Sequence, residues 1–163
     1  MIAALNRTRP AWLPALLLCF LAGPTRATTV VPPDFAGLVD RAGLVFRGEV
    51  VGREAALVTR GSDRAIFTRV TFRVLESIKG TPPPLLTLEF LGGAVGELSL
   101  EVSGMPRFEP GSQDFVFVTA GTPAICPLVA MGHGRYRILR DLQGAEFVAR
   151  DNGLPLHRIE DVA

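Results

Sequence analysis

Two cysteines and two histidines among 163 residues leave little material for disulfides or for a metal site. His133 and His157 occur without an HExxH spacing, and no CxxC pair accompanies them. His133 lies between Gly132 and Gly134, a place read first as a solvated loop. Lysine is scarcer still, with Lys79 alone, and there is no surplus of positive charge: 17 basic groups face 16 acidic ones. A nucleic-acid binder normally carries such a surplus, so that class has no support. Catalytic signatures are missing as well. Ser62, Ser77, Ser99, Ser103 and Ser112 stand in no GxSxG setting, and Cys126 has no recognisable partner. Gly92, Gly93 and Gly96 open neither GxxxxGK[ST] nor GxGxxG. Glu97 and Glu101 belong to the exposed face of an alternating run, where solvation explains them.

Long hydrophobic runs are also missing, apart from residues 11–22 (AWLPALLLCFLA). That run is shorter than the ~20 residues needed to span a bilayer. Arg7 and Arg9 precede it, and Thr25-Arg26-Ala27 follows with small residues at its first and third places. Basic start, short apolar stretch and small-x-small site are the parts of a secretory signal peptide. Cleavage is expected after Ala27, giving a periplasmic or extracellular protein with no membrane segment after cleavage. Leu18 stands where a lipoprotein would carry a small residue before Cys19. Loss of 27 of the 163 residues leaves 136, with 14 basic and 16 acidic groups, so the formal charge moves from +1 to −2. Cys126 then remains alone, and its apolar neighbours Ile125, Pro127, Leu128 and Val129 point to a buried thiol rather than one paired to another chain. A chain of that length fits one domain, 28–163, with its core in 34–150.

The stretch 66–80 (IFTRVTFRVLESIKG) organises the rest. Ile66, Val70, Phe72 and Val74 alternate with Arg69, Thr71 and Arg73, the period of a half-buried strand. Pro82, Pro83 and Pro84 prevent its continuation. Upstream, Asp34 suits an N-cap, and Phe35, Leu38, Val39 and Ala42 share one helical face that Gly43 would end. Residues 44–54 (LVFRGEVVGRE) predict a strand with Gly48 and Gly52 on its apolar side, and 55–64 a polar connection. Further strands are expected at 86–90, ending at Gly92-Gly93, and at 98–102. Residues 103–111 (SGMPRFEPG) read as a turn segment. Phe115 to Thr119 is apolar at consecutive positions, as in a strand covered on both faces. A terminal hairpin around Asp141-Leu142-Gln143-Gly144 joins Tyr136 and Ile138 to residues 145–149. Without βαβ alternation the chain is mainly β.

Two features bear on binding. Arg47, Arg53, Arg69 and Arg73 would line one outer face, or pair across strands with Glu49, Glu54 and Glu76. In the loop Met105-Pro106-Arg107-Phe108, a guanidinium and an aromatic ring are offered as contacts, with a buried turn anchor as the other reading.

The order of parts is itself informative: a helix running into LVFRGEV, then FTRVTFRVLESIKG, a Gly-Gly turn, GMPRFEPG, DFVFV and GRYRI. Over residues 34–150 this resembles exported bacterial proteins with an OB-type barrel like that of netrin domains and tissue inhibitors of metalloproteinases. The resemblance implies a single OB-like Greek-key β-barrel with one short N-terminal helix and a C-terminal β-hairpin. It also implies binding through barrel loops and one strand face. Those inhibitors present an N-terminal cysteine amine and carbonyl to the protease zinc. Here the expected first residues are Thr28 and Thr29, and the bracing disulfides cannot form. The expectation is a non-enzymatic exported module, without cofactor, that binds a protein, an exported metalloprotease being one candidate. Thr28, Thr29, Arg107 and Phe108 are its candidate contacts. The alternative is a carbohydrate or small-ligand OB module. A hydrolase acting through Cys126 or His133 is the third reading.

Overall fold

The structure, a computed structural model, describes residues 33–121 and 125–162. Thr28, Thr29 and the expected signal peptide lie outside these described residues.

Helix α1 (Phe35–Arg41) starts where Asp34 accepts the Gly37 N–H at 2.8 Å. It buries Leu38 and ends at Ala42, whose backbone is already extended. Gly43 therefore does not cap the helix but lies in the strand that follows, β1 (Ala42–Arg60). A Cβ there would meet the Ala120 backbone at 3.1 Å, so close approach is what the glycine provides.

The main sheet is antiparallel and six-stranded, in the order β3-β2-β1-β6-β7-β8. Its strands are β1 (Ala42–Arg60), β2 (Asp63–Lys79), β3 (Leu85–Leu91), β6 (Gln113–Thr119), β7 (Arg135–Arg140) and β8 (Glu146–Arg150). A separate ribbon pairs β4 (Gly93–Val95) with β5 (Leu98–Leu100). The protein is mainly β, and its C-terminal hairpin is β7–β8. The main sheet is not closed into a barrel by strand pairing, since β3 and β8 are end strands.

Residues 55–64 differ from expectation. They are not a connection: β1 and β2 continue through them and turn on Gly61-Ser62 alone, with Arg60 opposite Asp63. Ala55 to Thr59 lacks apolar–polar contrast, so its alternation is silent in sequence. Pairing with residues 64–68 decides it. At the tip, Arg60 lies 4.3 Å over the Phe67 ring and reaches Glu89 at 2.5 Å.

Three register shifts bend this ribbon, leaving Val51, Leu75 and Ile78 without opposite partners. These three are also exposed hydrophobic residues. A bulge turns an apolar side chain outward without moving its neighbours from the core. Gly48 sits at one bend, where a Cβ would come within 2.7 Å of the Phe46 ring.

One sheet face buries Phe46, Val50, Val70, Phe72, Leu88, Phe90, Val116 and Val118, with Phe108, Cys126 and Leu128 added from connecting segments. The opposite face packs Leu38, Val45, Phe117, Val129, Tyr136 and Val162. Strand β6 is thus buried on both faces, as its consecutive apolar residues predict.

Candidate functional site

A groove of about 430 Å³ opens on the inner side of the β1–β2 ribbon. Leu100, Val102 and Met105 give it a partly exposed apolar floor over the buried Val70, Phe90 and Phe108, and Arg53, Glu101 and Arg107 stand in its lining. Local sequence explains how each wall arrives there. The bulge at Val51 shifts register by one residue, and a one-residue slip transfers later side chains to the other face. Arg53 consequently leaves the outer face occupied by Arg47 and Arg73 and points into the groove. The second wall depends on Gly92 and Gly93, at φ +109° and +130°, which fold β4 back across the ribbon. A side chain at Gly93 would collide with Thr68 Oγ1, whose hydroxyl donates to the Gly92 carbonyl at 2.7 Å.

The third wall is the segment after β5. The Phe108 ring, 1% exposed, packs 5.1 Å from Phe72 and 5.2 Å from Phe90. The expected contact residue Phe108 is therefore a core anchor, because the loop turns its ring inward onto the face that β2 and β3 share. Arg107 points outward and pairs with Glu101 at 2.6 Å, both side chains being largely exposed. Arg53 donates to Glu109 at 2.7 Å and to the Phe108 carbonyl at 3.1 Å. Such exposed pairs contribute only about 0–1 kcal/mol each, so an incoming group can exchange with them. Arg73 pairs with Glu49, whereas Arg47 reaches Gln113 and Glu146. The expected cross-strand pairing thus holds for Arg73, and the tertiary fold supplies other partners for Arg47 and Arg53.

Behind the groove lies an ion cluster that the sequence reading missed. Arg135 and Asp114 are both buried and meet at 2.8 Å through Nε and Oδ1. The same guanidinium donates through Nη1 to the Arg107 carbonyl at 2.5 Å and to Asp151 at 2.9 Å. Its Cζ lies over the Phe108 ring, 4.2 Å from the centroid. Ser112 Oγ donates to the other Asp114 oxygen at 3.1 Å. Burial pushes the Asp114 carboxyl up from its ordinary value of 3.8, against the pull of Arg135. One signal was present in the sequence: Asp114 shares strand parity with Val116 and Val118, which puts an acid on the buried face. Its partner, 21 residues away, left no local trace.

Among the described residues no three His, Cys, Asp or Glu side chains are grouped as metal ligands. Cys126 is buried in the core, and burial raises its thiol to about 11, so the thiolate is scarce at neutral pH. His133 is exposed on the 3₁₀ turn Met131–Gly134. The groove itself offers paired guanidinium and carboxylate groups above an apolar floor, an arrangement suited to non-covalent retention. Comparison with family models, with curated proteins and with solved structures finds no match to this chain.

Proposed function

We propose that this chain is an exported, non-enzymatic module that binds a protein segment in the groove between the β1–β2 ribbon and the loop bearing Arg107. The observation that carries the reading is the groove's construction: apolar floor, exposed Arg–Glu pairs at the rim, and walls fixed by strands and buried side chains. A peptide supplies both apolar side chains for such a floor and charged groups for such a rim. A sugar site normally adds an exposed aromatic platform. In this groove the aromatic rings, Phe90 and Phe108, are both buried. Protein binding is accordingly preferred to the carbohydrate or small-ligand reading.

The OB-type reading belongs to the same proposal. Its support is that β1 lies between β2 and β6, while residues 125–128 stand between β3 and β6. Leu91 N–H donates to the Ile125 carbonyl at 2.8 Å, and Leu128 bridges to Val118. Single bridges thus run round from β3 to β6 where strand pairing stops. An exported metalloprotease is the partner class suggested by the likeness to metalloproteinase inhibitors. Any contribution of Thr28 and Thr29 is a separate matter from the groove.

Affinity capture by the mature chain from its own culture tests the proposal. A specific protein should be retained, and Arg107→Glu should reduce its retention about tenfold, the scale of a contact worth about 1.4 kcal/mol. Undiminished retention by that variant would remove the groove. Retention on a glycan array with no captured protein would favour the sugar reading.

A further inference from the structure

The loop that walls the groove carries no regular secondary structure, yet it is held at successive backbone atoms. Gly104 accepts at its carbonyl from the Gly132 N–H at 3.2 Å, and Gly111 donates its N–H to the Val50 carbonyl at 2.8 Å. Between these ends, the Phe108 carbonyl is held from the groove side by Arg53 and the Arg107 carbonyl from the core side by Arg135. The two grips are unequal. Arg53 is substantially exposed, whereas the Arg135 side chain is 4% exposed and has fixed partners on three sides. Asp114 on β6 sets its Nε edge. Asp151, after β8, sets Nη1, and the Phe108 ring lies against its Cζ. A planar fork can satisfy these directions together; a lysine ammonium, a point charge without the plane, cannot.

We infer that Arg135 is the positioning residue of the groove: its guanidinium holds the Arg107 carbonyl and the Phe108 ring, and so sets the wall from which Arg107 meets a ligand. This rests on the groove being the binding site. The role is geometric, and it separates two functions of one side chain. Charge balance with Asp114 supports the fold, while the directed N–H donors and the contact with the Phe108 ring place the loop.

Hydrogen exchange on the full chain tests this without any ligand, so failure to capture a partner would leave the result untouched. Two variants are compared with the parent. Arg135→Lys retains the charge opposite Asp114 but not the fork. Asp114→Asn combined with Arg135→Met leaves no buried charge behind and keeps the inference testable if the lysine variant fails to fold. In each folded variant, the amides of Met105, Gly111 and Ser112 should exchange at least tenfold faster, with those of the β1–β2 ribbon within about twofold of the parent. Unchanged loop amides in the double variant would overturn the inference. Acceleration spread equally over loop and ribbon would also overturn it, since Arg135 would then be a general structural residue.

Discussion

At the scale of single residues, Phe108 shows how burial decides a role. A ring on a Pro-flanked loop is an attractive contact, but this one is enclosed by Phe72, Phe90 and Arg135. Phe108→Ala should lower unfolding free energy by about 3–5 kcal/mol, measured by urea denaturation, because a cavity remains where the ring was. A loss below about 1 kcal/mol would place the ring outside the core. That cost is a large share of the ~5–15 kcal/mol holding a typical domain, so the alanine variant is a poor probe of binding. Cys126 allows a second test. With its thiol raised to about 11 and buried, it should react with an alkylating reagent at pH 8 far more slowly than in urea. Equal rates in the native and unfolded chain would contradict its burial.

At the scale of elements, the bulges in the β1–β2 ribbon matter most. They account together for the bend of the ribbon, the outward Val51, Leu75 and Ile78, and the inward Arg53. Adjacent valines should therefore respond differently. Val50, fully buried, should lose about 2 kcal/mol on change to alanine, whereas Val51, 42% exposed, should stay within about 0.5 kcal/mol. Thermal and urea unfolding of the two variants measure this, and a reversed order would mean that the register is shifted by one residue. The helix is a weaker element. Its seven residues are too few to be stable alone, so Leu38 packing on the sheet sustains it more than its cap does.

At the scale of the whole molecule, the Asp114–Arg135 pair ties β6, β7, the groove loop and the turn after β8 into one unit. It also gives stability a pH dependence with a definite sign. Burial raises the Asp114 carboxyl, although Arg135, Ser112 and Arg137 all pull it down. Between the ordinary value of 3.8 and the raised folded value, the folded chain keeps a proton that the unfolded chain has released. This group's contribution is therefore complete below 3.8 and is lost as pH rises through the folded value. Asp114→Asn should flatten that part of the profile, seen in urea midpoints collected from pH 3 to 8. A variant profile parallel to the parent's would show that another group governs the slope.

The sequence by itself determined the mainly β class, the short capped helix, the strand from Ile66 onward, the doubly covered β6 and the terminal hairpin. Each of these depends on local periodicity or turn chemistry, which a short window of residues carries. The tertiary structure decided the rest. The silent stretch after Glu54 became strand because residues 64–68 pair with it. One extra residue at Val51 reassigned Arg53 from outer face to groove. For Phe108 burial chose the turn anchor over the contact, and a buried acid found its arginine on another strand. Register shifts and charge pairs join positions far apart in the chain, so their energies are written in space rather than in any local pattern.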